Sequence, residues 1–215
     1  MSVKDMFKTN AVTVVLLIVL NIALFTLGTT PWMVLGLICL AGAMFISYRQ
    51  GMGFGHEACS VLDTVRRASD PESPAYGQVD DDVARRAWSA STGVKGVLAS
   101  ALAPYVVGCA YIVLTLLKVH PADMVMRLVS WVVALPYWPA MLPFSQTFDR
   151  LTPAVAAVLM ISPFVLPLCT FAGYMQGPKL WAKSEKAMAE GRRRAKAKSR
   201  VVRKKGTPRS QRPEI

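Results

Sequence analysis

Long uncharged stretches alternate with short charged ones along this chain, and they set its expected architecture. The first stretch lies between Lys8 and Arg49 and contains 40 consecutive uncharged residues. This is about twice the roughly 20 residues that one helix needs to cross the hydrocarbon of a bilayer. Residues 28–31 (GTTP) interrupt the stretch, and glycine and proline favour a turn there. We therefore predict a transmembrane helical hairpin over residues 11–48.

Two further uncharged runs each have the length of a single span. They cover residues 97–117, with 21 residues, and residues 153–175, with 23 residues. Both exceed the roughly 20 residues that a crossing requires. The pattern predicts transmembrane helices over residues 96–117 and 153–176.

A fourth uncharged run, residues 128–148, is interrupted by Pro136, Pro139 and Pro143. Each proline lacks a backbone N–H and disfavours helical geometry in the residue before it. A straight helix is therefore expected only over residues 128–135, which rise about 12 Å, well short of a crossing. The run is either a strongly kinked span or a re-entrant or interfacial element packed against the other helices.

The distribution of Lys and Arg distinguishes these two topologies. Counted within about 20 positions of the membrane, five spans would leave 8 basic residues inside and 9 outside, whereas four spans leave 14 inside and 3 outside. The second arrangement obeys the positive-inside rule. We predict an all-α polytopic protein of the cell membrane with four transmembrane helices and a proline-broken fifth hydrophobic element, residues 118–152, on the outer side. Residues 1–10, the polar loop 49–95 and the tail 177–215 are predicted to be cytoplasmic.

The polar loop 49–95 carries its own helical pattern. Ala58, Val61, Leu62 and Val65 have the i, i+3, i+4, i+7 spacing of an amphipathic helix. Residues 69–77 (SDPESPAYG) interrupt it, and residues 80–89 (DDDVARRAWS) carry the acidic residues typical of a second helix start. The loop is therefore expected to form a short helical hairpin.

Composition agrees with a membrane protein and concentrates the charge in one place. The chain is 53% hydrophobic and 18% charged, with a net charge of +12. From Lys179 onward there are 14 Lys or Arg against 3 Glu. No CxxC occurs among the four cysteines, so neither a disulfide framework nor a zinc framework is expected. The first apolar segment leads directly into the second, so we interpret it as a retained anchor and not as a removable signal peptide.

Motifs that resemble catalytic or binding sites are weak. Residues 51–55 (GMGFG) lack the Lys and Ser/Thr of a phosphate loop, so we interpret them as a flexible helix exit. Residues 56–60 (HEACS) begin like a zinc-protease helix, but Ser60 replaces the second histidine. His56 and Cys59 have only His120 to join them, and that residue is expected across the membrane. We predict no enzymatic activity, no metal site and no cofactor.

Polar residues inside the uncharged runs are expected to form hydrogen bonds between helices. The absence of ionisable residues within these runs argues against a proton relay. The polar residues in question are Asn21, Ser100, Thr115, Ser130, Gln146 and Ser162.

The basic tail is the strongest candidate surface. Its cations suit anionic lipid headgroups or RNA phosphates, and they also fix topology. Leu180, Trp181, Ser184 and Met188 indicate an interfacial helix, and the part after Gly191 is expected to be disordered. The residues predicted to contact lipid or RNA are Lys179, Trp181, Lys183, Lys186, Arg192, Arg193, Arg194, Lys196, Lys198, Arg200, Arg203, Lys204 and Lys205.

Three functions are consistent with these features. The favoured one is a non-enzymatic accessory or scaffold whose partners are membrane lipids and other membrane subunits. The alternative is a small-solute transporter or channel subunit, with a pathway lined by Pro136, Tyr137, Trp138, Pro139 and Pro143. A membrane factor that contacts RNA or a ribosome is the third.

Overall fold

The computed structural model describes residues 3–74, 76–77, 79–117, 128, 132, 134–141 and 153–205. The described secondary structure is entirely helical. It comprises α1 (Val3–Phe25), α2 (Thr29–Ser69), α3 (Asp81–Ala84), α4 (Ala90–Leu116), a 3₁₀ turn (Leu135–Tyr137), α5 (Trp138–Met141), α6 (Pro153–Met175) and α7 (Gly177–Lys205). Four helical segments are long and apolar enough to cross a membrane. They are α1, α2, α4 and the segment Val155–Lys196, which comprises most of α6 and α7. The predicted all-α polytopic class is confirmed.

The four long helices form a bundle in which two helices run in one direction and two in the other. Asn10 of α1 contacts Ser100 of α4, and Met6 contacts the position of Gly96, so α1 and α4 run in the same direction. Helices α2 and α6 run in the opposite direction. The start of α1, the polar half of α2, the start of α4 and the start of α7 therefore meet at one end of the bundle, which we call the polar end.

Helix α2 continues for 41 residues without a break, a length of about 60 Å. The predicted span ends at Tyr48, but the helix passes through Arg49 and GMGFG and ends at Ser69. The interpretation of GMGFG as a flexible exit is therefore wrong. No proline lies between Pro31 and Pro71 to stop the helix. The predicted amphipathic segment of the loop is the last part of α2.

The rest of the polar loop is shorter than expected. The second predicted helix is reduced to the four residues of α3. Residues 85–89 then lead into α4, where Ser89 caps the helix by accepting a hydrogen bond from the Thr92 amide at 3.2 Å. The loop therefore returns the chain directly to the bundle.

The tail also differs from the expectation. Helix α7 begins one residue after α6, with Gln176 as a turn between them, and extends to Lys205. The segment after Gly191, expected to be disordered, is helical as far as Lys205. Its Ala, Lys and Arg residues are strong helix formers, so local propensity is sufficient to favour this extension.

Candidate functional site: the polar end of the bundle

Glycines allow α2 to approach α6 and α7 unusually closely. A Cβ at Gly51 or Gly55 would overlap the carbonyl oxygen of Thr170 or Tyr174, respectively, and one at Gly173 would overlap the carbonyl oxygen of Tyr48. Helix α2 and the junction of α6 with α7 thus present the GxxxG spacings 51/55 and 173/177 to each other. Small residues at this spacing let helix backbones pack in direct contact. The face that crosses is defined by these four glycines, whereas Gly53 faces open space.

An aromatic cluster attaches the loop to the end of α6. The ring of Trp88 stacks on Tyr174 with centroids 6.1 Å apart. The Tyr174 hydroxyl donates to the Ser89 carbonyl at 3.2 Å, and the Trp88 amide donates to the Ala58 carbonyl at 3.0 Å. These contacts hold α2, α4 and α6 together at the polar end.

Helix α7 lies alongside the polar half of α2. The ring of His56 contacts Trp181 edge to face with centroids 5.1 Å apart, and His56 Nε2 lies 3.2 Å from Ser184 Oγ. Further along, a groove between the helices is lined by residues that run from Ser60 to Arg67 on α2 and from Trp181 to Arg192 on α7. The two helices are therefore parallel neighbours, and Trp181 is half-buried against the protein.

The predicted basic site residues divide into two groups along α7. Lys179, Lys183 and Lys186 lie within about 17 Å of Met175, the last residue of the apolar run, whereas Arg192 lies about 26 Å beyond it. All described members are exposed, and Arg193, Arg194 and Lys196 belong to the far group. The side chains of Lys198, Arg200, Arg203, Lys204 and Lys205 lie outside the described residues.

Basic residues from four helices also gather near the membrane boundary. Lys8 of α1, Arg49 of α2, Lys95 of α4 and Lys179 of α7 are all exposed. Helix contacts at Met6, Tyr48 and Gly93 place the first three of these residues near the level of α6 residues 170–174. Lys179 follows within about 10 Å along the axis. We call these four residues the basic collar.

The predicted pathway residues are packed against other helices. Pro136, Tyr137 and Pro139 are buried and Trp138 is half-buried, while Pro143 lies outside the described residues. Tyr137 lies among Leu17, Leu40, Ala43 and Leu166, about halfway along α1 and along the apolar part of α2.

Two tryptophan rings lie beside the packing of Tyr137 against the bundle. Trp138 meets Trp32 at 6.1 Å between ring centroids, and Trp32 donates through Nε1 to Asn21 Oδ1 at 3.1 Å. The described part of the proline element thus enters the bundle from the end opposite the polar end.

A buried polar chain crosses the bundle between α1, α4 and α6. Thr170 Oγ1 donates to Asn10 Oδ1 at 2.8 Å, and Asn10 Nδ2 donates to Ser100 Oγ at 3.1 Å. The sequence indicated Ser100 but missed Asn10 and Thr170. Asn10 was assigned to the residues before the span, yet it is buried. Ser130 and Gln146 lie outside the described residues.

The HEACS segment forms part of a helix interface. Cys59 is buried, and burial raises the pKa of its thiol, an effect opposed by the nearby charge of Arg66. Within the described residues, no three His, Cys, Asp or Glu side chains form a group suited to a metal ion. His120 lies outside the described residues. The described contacts of His56 are with Ser184 and Trp181 of α7.

Comparisons with protein-family models, with curated proteins and with solved structures gave no match to this chain. Its function is therefore inferred from the polar end itself. Its class is that of a multi-pass membrane protein, as the four long apolar helices indicate.

Proposed function

We propose that this protein is a non-enzymatic membrane scaffold that uses a basic polar end to hold anionic lipid and to present a two-helix projection to the cytoplasm. The observation that carries the proposal is the basic collar, in which Lys8, Arg49, Lys95 and Lys179 come from four helices and are all exposed near one level. Cations at a membrane surface attract anionic headgroups by about 1 kcal/mol each. The cytoplasmic side follows from the positive-inside rule.

The projection consists of residues 49–69 of α2 and the neighbouring part of α7. It carries Glu57, Asp63, Arg66 and Arg67, which are costly to place in hydrocarbon. From Tyr48 to Arg67 the helix rises about 28 Å, so this segment extends well beyond the boundary if α2 crosses near the bilayer normal.

The basic residues of α7 lie at different distances from the membrane boundary, and we assign them to different partners on that basis. Lys179 lies about 6 Å beyond Met175 along the helix, within the Debye length of about 8 Å at physiological ionic strength. Lys183 and Lys186 lie up to about twice that length from Met175, and Arg192 and its neighbours lie about three times that length away. We assign the near group to lipid of the protein's own membrane. Arg192, Arg193 and Arg194 are exposed farther out and suit an anionic cytoplasmic partner.

The selectivity of the protein for anionic lipid tests this function. The full chain is reconstituted in bilayers that contain spin-labelled phosphatidylglycerol or phosphatidylcholine, and the motionally restricted fraction of each lipid is measured. We expect a preference for phosphatidylglycerol that weakens with salt. The combined substitution Arg49→Gln, Lys95→Gln and Lys179→Gln should reduce it by about half or more, because most of the collar charge is removed.

The matched control removes three charges from the far group through Arg192→Gln, Arg193→Gln and Arg194→Gln. This variant should keep the lipid preference of the wild type. If instead the far-group variant loses the preference and the collar variant keeps it, α7 bends to the membrane and the assignment is wrong. A wild-type protein with no lipid preference but with salt-sensitive RNA binding would favour the translation-linked role.

A further inference from the structure

A groove of about 570 Å³ opens between α1 and α2 on the outside of the bundle. Val12, Leu16 and Leu20 line one side of it, and Ile46 lines the other. These four side chains are exposed in the isolated chain, at 40–63%. An apolar lining of this kind requires an apolar occupant or lipid.

One end of the groove is polar. Lys8, Thr9 and Gln50 lie there, at the level of the basic collar. The Oε1 atom of Gln50 is buried and has no hydrogen-bond partner among the described residues. The polar end of the groove offers the positive charge of Lys8 to an anionic group.

The dimensions match one leaflet of a bilayer. From Lys8 to Leu20 the groove follows α1 for about 18 Å, and half of a hydrocarbon core of roughly 30 Å is about 15 Å. An extended hydrocarbon chain fits a groove of this length.

We propose that this groove binds one acyl chain of an anionic glycerophospholipid. The chain lies against Val12, Leu16, Leu20 and Ile46. The phosphate pairs with Lys8. Phosphatidylglycerol carries the negative charge that this contact requires. The site shares Lys8 with the basic collar and rests on the proposed anionic-lipid function, but the two tests are distinct because the collar variant leaves Lys8 unchanged.

Gly42 provides a direct way to fill the groove. It lines the groove, and a Cβ at this position meets nothing within 4 Å. The substitution Gly42→Leu should therefore occupy the acyl-chain position without displacing protein atoms. Ala41→Leu is the matched control, because Ala41 is an exposed neighbour on the same helix that does not line the groove.

Lys8→Gln tests the headgroup contact, and Lys4→Gln is its matched control. Lys4 is exposed one turn earlier on α1 and does not line the groove. Both substitutions remove the same charge from the same helix. A difference between them therefore reports the position of Lys8 and not the net charge of the protein.

The measurement is titration of the delipidated full chain in mild detergent with phosphatidylglycerol or phosphatidylcholine, with bound lipid counted by native mass spectrometry. We expect one saturable phosphatidylglycerol site in the wild type. Lys8→Gln should weaken it about fivefold and Gly42→Leu should abolish it, while Lys4→Gln and Ala41→Leu bind as the wild type does. Circular dichroism and the elution volume establish that each variant is folded.

Equal binding of both lipids to the wild type would show non-selective annular lipid and overturn the proposal. Retention of the site in Gly42→Leu would also overturn it. If Gly42→Leu changed the oligomeric state and left lipid binding intact, the groove would be an interface between copies of the chain. If Gly42→Leu proved unfolded, equal weakening by Lys8→Gln and Lys4→Gln would be sufficient to reject the site.

Discussion

Gly51 of α2 lies directly against the Thr170 carbonyl of α6, so that no side-chain carbon fits between them. The apolar run of α2 ends at Tyr48, beside Gly173, and that of α6 ends at Met175. This close helix contact is therefore at the membrane boundary. The contact joins α2 to α6 at the point where the projecting parts of α2 and α7 begin.

The substitution Gly51→Ala should destabilise this crossing, because the added methyl group must displace backbone. We expect a loss of about 1–3 kcal/mol, as for overpacked cores. Gly53→Ala is the matched control, since a Cβ there meets nothing within 4 Å. Thermal unfolding in detergent, followed by circular dichroism, compares the two. An equal effect of both substitutions would contradict the assigned crossing face.

The polar chain through Asn10 should couple α1 to α6 energetically. A double-mutant cycle with Asn10→Ala and Thr170→Val removes their 2.8 Å hydrogen bond. Hydrogen bonds between membrane helices average about 0.6 kcal/mol of coupling and reach about 1.7 kcal/mol. We expect a coupling energy in that range from unfolding measurements on the four proteins. Strictly additive effects would show that the contact contributes nothing to stability.

Thiol labelling should distinguish the buried Cys59 from a cysteine introduced at the exposed neighbouring position, Glu57→Cys. Burial raises the pKa of Cys59, so less thiolate is present at a given pH, and its reaction should be slow at neutral pH and faster as pH rises. In a chain without the native cysteines, Glu57→Cys should react rapidly with an impermeant reagent, but only after the membrane is opened. Rapid labelling of Glu57→Cys in intact cells would place the polar end outside.

The position of the proline element depends on Gly36. A Cβ there would overlap Pro139 and lie 3.2 Å from Asn21 Oδ1. Gly36→Ala should therefore loosen residues 134–141, and their amide hydrogen exchange should become faster. Gly42→Ala, with open space at its Cβ, should leave that exchange unchanged. If residues 134–141 exchange at the same rate in both variants, the element does not depend on this contact.

The amino-acid sequence alone determined the class of the protein and the positions of its apolar runs. Charged residues are excluded from hydrocarbon, so uncharged runs bounded by residues such as Lys8 and Arg49 mark spans without any knowledge of packing. Proline lacks an N–H, so the break near Pro136 and Pro139 was also predictable.

Only the tertiary structure decided which faces of those helices meet. In a span, residues that face lipid and residues that face protein are both apolar, so hydropathy does not distinguish them. Gly51 and Gly53 look equivalent in the sequence, yet one contacts Thr170 and the other faces open space. Likewise, the basic collar and the Gln50 end of the groove combine residues from separate helices, and their proximity exists only once the bundle has formed.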